Sequence, residues 1–71
     1  MAGMRSTRRA KRALEKLGLV FIDADGSHFH YRGPSGRKIT IVLGHGEISE
    51  ASLRKACMLA DIAWSDFEEQ Y

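Results

Sequence analysis

Between Leu19 and Leu43, two turn signals divide three runs of β-branched and aromatic residues, and this alternation limits what the chain can fold into. Leu19-Val20-Phe21-Ile22-Asp23 reads as one strand, His28-Phe29-His30-Tyr31-Arg32 as a second, and Lys38-Ile39-Thr40-Ile41-Val42-Leu43 as a third. Asp25-Gly26 is a two-residue hairpin signal, because both residue types tolerate positive φ. In Gly33-Pro34-Ser35-Gly36 the proline fixes φ at the second position and glycine fills the fourth. Connections this short make successive strands antiparallel.

Side-chain direction follows from the turns. With Asp25-Gly26 as the loop, Asp23 faces His28, Ile22 faces Phe29 and Val20 faces Tyr31, since opposed residues share a face. A five-residue second loop, Gly33 to Arg37, sets Ile39 and Ile41 beside Tyr31 and Phe29. A slip by one residue would invert the third strand, so the loop that gathers the apolar residues is preferred. The expected core face is Val20, Ile22, Phe29, Tyr31, Ile39 and Ile41. The expected open face is Asp23, His28, His30, Arg32, Lys38 and Thr40.

Helical periodicity flanks the strands. Ala10, Ala13, Leu14 and Leu17 recur at i, i+3, i+4 and i+7, with Ser6 or Thr7 as N-cap and Gly18 as the terminating residue. Leu53, Ala56, Cys57 and Ala60 repeat that spacing after an N-cap at Ser49. Trp64 to Tyr71 form a last short helical segment. The predicted class is α+β: an αβββα order with a three-stranded antiparallel sheet, helices packed on one face, and a short C-terminal helix.

Seventy-one residues allow a single domain, 1–71, with residues 1–5 expected to be disordered. The lone Cys57 pairs with nothing and fits a small core position, which suits a reducing cytoplasm. No apolar run approaches a membrane span, and no apolar stretch follows the basic N-terminus, so a cytoplasmic protein without membrane contact is expected.

The net charge of +2 hides a division. Residues 1–38 carry nine Lys/Arg against three acidic residues, a net +6, while residues 39–71 carry two against six, a net −4. A basic half concentrates phosphate-bearing ligands. Arg8, Arg9 and Arg12 on the polar side of the first helix, with Arg32, Arg37 and Lys38 near the second turn, are the expected RNA contacts.

The open face supplies proton chemistry. Imidazole both accepts and donates a proton near neutral pH. RNA cleavage needs a proton taken from the ribose 2′-hydroxyl, one given to the leaving 5′-oxygen, and charge stabilised on phosphate. His28 is the candidate acid/base, with Asp23, Ser27 and His30 as supporting groups. The bland alternative is a wet strand carrying two surface histidines. His28-x-His30 also presents two imidazoles on one side of a strand, with Asp23 or His45 available as a third metal ligand. No other ligand spacing is present, so no metal and no cofactor are expected.

The run "GSHFHYRGPSGRKITI" resembles the HicA toxins, small mRNA-cleaving members of type II toxin–antitoxin pairs. Gly26, Ser27, His28, Tyr31, Pro34, Gly36 and Arg37 match that family's pattern in place. "ALEKLGLVFI" upstream and "GEISEASLRKACMLADI" downstream are also similar to it, so the resemblance covers about residues 10–68. Phe29 stands where a second histidine is common in the family, and Val42 replaces a common proline. The resemblance implies a double-stranded-RNA-binding-domain-like fold, an endoribonuclease (mRNA interferase) activity with catalytic His28, and a HicB-like antitoxin covering the active site. The alternatives are a non-catalytic RNA-binding module of the same fold and an adaptor domain whose partner is a protein.

Overall fold

A computed structural model describes residues 3–44 and 46–71. In chain order the elements are β1 (Met4–Ser6), α1 (Thr7–Lys16), β2 (Val20–Asp25), β3 (His28–Arg32), β4 (Lys38–Val42), β5 (Glu47–Ser49), α2 (Glu50–Leu59) and α3 (Trp64–Gln70). The sheet β2-β3-β4 is antiparallel throughout, and the helices cover one of its faces, as the turn spacing requires. The α+β, double-stranded-RNA-binding-domain-like arrangement with an added C-terminal helix is therefore present.

Local chemistry sets the helix limits. The Ser6 hydroxyl accepts from the Arg9 amide at 3.2 Å, and Gly18 takes φ 103° just past the end of α1. The Ser49 hydroxyl accepts from the Ser52 amide at 3.1 Å, which fixes the start of α2. Asp61 adopts φ 63° and breaks the chain between α2 and α3.

Ala10, Ala13 and Leu14 from α1 meet Leu53, Ala56 and Cys57 from α2 above Tyr31, Ile39 and Ile41 of the sheet. Small residues on both helices let them approach the strands closely, so the larger side chains fill the space between. Each fully buried Leu, Ile or Phe contributes about 1.5–3 kcal/mol relative to exposure. Phe67 of α3 is fully buried and completes this core.

The β3–β4 register is the one the five-residue loop implies, with Phe29 opposite Ile41 and Tyr31 opposite Ile39. The β2–β3 register differs from expectation. The loop is Gly26-Ser27, not Asp25-Gly26, so Asp25 is opposite His28 and Asp23 is opposite His30. Gly26 supplies the positive φ of 64°, and Asp25 stays extended and paired. A shift in register at Ile22 then sets Phe21 opposite Tyr31 and Val20 opposite Arg32. Without that extra residue, Ile22 would meet Tyr31 and the aromatic Phe21 would turn to the wet side. Val20 and Ile22, expected in the core, are instead 63% and 38% exposed. Phe21 packs on Phe29 and Tyr31, with ring centroids 6.1 and 5.6 Å away.

A second, two-stranded sheet had no signal in the sequence pattern. Met4–Ser6 pairs antiparallel with Glu47–Ser49. Of residues 1–5, expected to be disordered, Met1 and Ala2 lie outside the described residues, while Met4 and Arg5 belong to this strand. Arg5 lies between α2 and α3. It bonds Glu68 at 2.8 Å and Glu50 at 3.3 Å, and its guanidinium sits 5.0 Å from the Tyr71 ring and 5.5 Å from the Trp64 ring. The Tyr71 hydroxyl accepts from the Ser6 amide at 2.6 Å. The acidic C-terminal segment thus holds the basic N-terminal one.

Candidate functional site

The face of the sheet turned away from the helices carries three cross-strand rows. Asp25, His28 and Val42 form the row at the hairpin tip. Asp23, His30 and Thr40 form the next, and Val20, Arg32 and Lys38 the far one. All six residues expected on the open face are there. Their partners are not all as expected, because Asp23 supports His30 and the carboxylate across from His28 belongs to Asp25. A sequence signal for Asp25 existed: glycine as the first loop residue pushes the aspartate into the strand.

His28 is exposed, and no side-chain hydrogen bond to it is formed among the described residues. His30 is half-buried and hydrogen-bonded on one side, with a carboxylate nearby on the other. Its Nδ1 lies 2.9 Å from the Thr40 hydroxyl, and its Nε2 lies 4.0 Å from the Asp23 carboxylate. His28 and His30 point to the same side about 7 Å apart along the strand. Arg32 and Lys38 are four residues farther on, about 13 Å from the His28 row. Ser27 sits in the loop beside His28, and its carbonyl accepts from the Leu43 amide at 2.9 Å, which ties the hairpin tip to β4.

The expected RNA-contacting cations divide into two groups. Arg32 donates to the Gly36 carbonyl at 2.9 Å, Arg37 to the Leu59 carbonyl at 3.4 Å and Arg9 to the Tyr71 carbonyl at 2.9 Å. Arg9 also stacks 4.2 Å from the Tyr71 ring. Arg8, Lys11 and Arg12 line a recess of about 400 Å³ with Thr7, Glu15 and Gly46. Lys11 was not among the residues singled out from the sequence.

Two titratable groups belong to the core instead of the site. Burial pushes the Cys57 thiol up to about 11. Burial, with the Glu15 charge adding to it, also raises the Tyr31 phenol, whose hydroxyl has no hydrogen-bond partner among the described residues. Among the described residues no three His, Cys, Asp or Glu side chains are grouped to hold a metal ion. His45, the third ligand weighed from the sequence, lies outside the described residues. No described helix is long and apolar enough to cross a membrane.

A comparison with the curated proteins finds no match. The family model for the HicA toxin of bacterial toxin–antitoxin systems matches residues 7–62, from the first residue of α1 to just beyond α2, and so contains both histidines of the open face and the hairpin that carries them. A toxin of this kind works opposite an antitoxin, and on the extent of that match the chain belongs to the HicA toxin family.

Proposed function

We propose that the protein is an endoribonuclease that cuts mRNA, with His28 as its general acid/base. The observation that carries this reading is the exposed His28 at the tip of a tightly tied hairpin, inside the span that matches the toxin family. His28 takes the proton of the ribose 2′-hydroxyl. The 2′-oxygen bonds to phosphorus, the bond from phosphorus to the 5′-oxygen breaks, that oxygen takes a proton from solvent water, and protonated His28 returns its proton to solvent. The products are a 2′,3′-cyclic phosphate end and a 5′-hydroxyl end. Asp25 stands across from His28 on the neighbouring strand and adds a negative charge to the same row. His30, held by Thr40, lines the same face and positions the phosphate.

Arg32 and Lys38 are too far along the strand to touch the phosphate being cut at His28. In this reading they hold a flanking phosphate, with Arg37 near them. Arg8, Arg12 and Arg9 extend the basic track over α1. A HicB-like antitoxin covers His28 and sets acidic residues against the same cations, so it competes with RNA. Such charge complementarity speeds encounter and weakens with salt.

One observation favours the alternative of an RNA-binding module without cleavage: the His28 row contains no cation. Exchange of His28 decides between the two. Loss of a general acid/base lowers the rate by about 10²–10⁴-fold. A folded His28→Ala protein should lose cleavage by that factor while keeping its affinity for RNA, and His30→Ala should be milder. Cleavage by folded His28→Ala at the wild-type rate would overturn the assignment.

A further inference from the structure

On the helix side of the same hairpin lies a cleft of about 630 Å³, lined by Thr7, Gly26, Ser27, Phe29, Leu43 and Gly44. None of the open-face residues described above lines it. Its size is ordinary for a small-molecule site. The floor is apolar, from Phe29 and Leu43, and the rim offers backbone groups at two glycines with the hydroxyls of Ser27 and Thr7. The wall is fixed in place: the Thr7 amide donates to the Gly46 carbonyl at 3.0 Å, and the Thr7 hydroxyl to the Gly44 carbonyl at 3.4 Å. Thr7 also lines the adjoining recess that holds Arg8, Lys11 and Arg12. Lys11 joins the two, with its ammonium 5.0 Å from the centre of the Phe29 ring.

We propose that this cleft takes one base of single-stranded RNA, seated against Phe29, while the adjoining cations take that nucleotide's phosphate. An aromatic floor with a polar rim fits a flat heterocycle that carries edge donors and acceptors. A strong basic patch one residue away fits the phosphate attached to it. Stacking an unpaired base on an aromatic ring is how proteins read single-stranded RNA, and each such contact contributes about 1–3 kcal/mol. The cleft and His28 share the hairpin tip but lie on opposite faces of the sheet. A strand crossing the Gly26-Ser27 corner would place one base in the cleft and a neighbouring sugar-phosphate at His28. The cleft then sets which sequence is cut. This inference rests on the ribonuclease reading for its consequence, but its binding test does not require cleavage.

The test titrates the full-length chain with a mixed-sequence 2′-O-methyl RNA hexamer, which cannot react through its 2′ position, and follows backbone amides by NMR. The expected shifts fall on Thr7, Gly26, Ser27, Phe29 and Gly44. Phe29→Leu should weaken binding about 10-fold, Phe29→Tyr should restore it, and Lys11→Ala should lower the salt slope by about 0.7. In unmodified RNA, Phe29→Leu should cut less efficiently, with a relaxed base preference at one position beside the scissile bond. Shifts confined to the open face would overturn the base site, whether or not the Leu variant folds. Equal affinity of wild type and a folded Phe29→Leu would overturn it too. Shifts at the cleft with no cleavage by wild type would uphold the site and overturn the ribonuclease reading instead.

Discussion

Phe67→Ala should cost a large share of the stability of this domain, although Phe67 lies beyond the span that matches the family. The ring is fully buried, stacked 5.0 Å from Trp64 and tilted 5.7 Å from Tyr71. Removing a buried phenylalanine costs about 3–5 kcal/mol in transfer and cavity terms. A chain of 71 residues at about 0.05–0.15 kcal/mol per residue has about 4–11 kcal/mol in all. The loss also spreads, because Trp64 and Tyr71 receive the guanidinium groups of Arg5, Arg54 and Arg9, and these hold β1 and both long helices. The assay is urea unfolding followed by Trp64 fluorescence and by far-UV circular dichroism. At about 1 kcal/mol per molar urea, the midpoint should fall by about 3 M or the protein should be partly unfolded without denaturant. If α3 alone detaches, fluorescence should change before circular dichroism. A loss under about 1 kcal/mol with coincident probes would refute the claim that α3 completes the core.

Acid should loosen the same clamp. The hydrogen bond from Arg5 holds Glu68 below the ordinary carboxylate value of 4.5, and the one from Arg54, with Arg5 second, holds Glu50 below it. Carboxyls lowered in the folded state stabilise above that value and lose the contribution as pH falls through their folded pKa. The urea midpoint should therefore drop below about pH 4.5, and Glu68→Gln should show a smaller drop; an unchanged pH profile in that variant would refute the assignment. Cys57 should resist thiol reagents at pH 8 except at the rate of unfolding, since its thiol is pushed up to about 11; rapid labelling of the folded protein would contradict its burial. Arg9→Ala should lower stability by releasing Tyr71, whereas Arg8→Ala should leave the urea midpoint in place and lower the RNA salt slope by about 0.7. Cleavage should survive excess chelator; loss in chelator with recovery on added Zn²⁺ would transfer the chemistry to a metal site at His28 and His30.

The sequence by itself determined the αβββα order, the N-cap at Ser49, the helix end at Gly18 and the β3–β4 register, and narrowed the first N-cap to Ser6 or Thr7. Each of these depends on neighbours within a few residues, or on a period that one-dimensional spacing carries. The open face was legible for the same reason: alternation alone puts His28, His30, Arg32, Lys38 and Thr40 together. Tertiary structure decided the partners. Whether Asp23 or Asp25 meets His28 turns on one residue in a hairpin loop, and the irregularity at Ile22 sets Phe21 opposite Tyr31. No local signal marks such a bulge, because its energy comes from packing across the strand. The pairing of Met4–Ser6 with Glu47–Ser49 and the capture of Arg5 by Glu50 and Glu68 join segments more than forty residues apart. Residues 1–38 carry a net +6 and residues 39–71 a net −4. Folding joins the two halves at Arg5, which pairs with Glu68, and at Arg9, which stays exposed while donating to the Tyr71 carbonyl; both contacts span more than sixty residues, so no local pattern marks them.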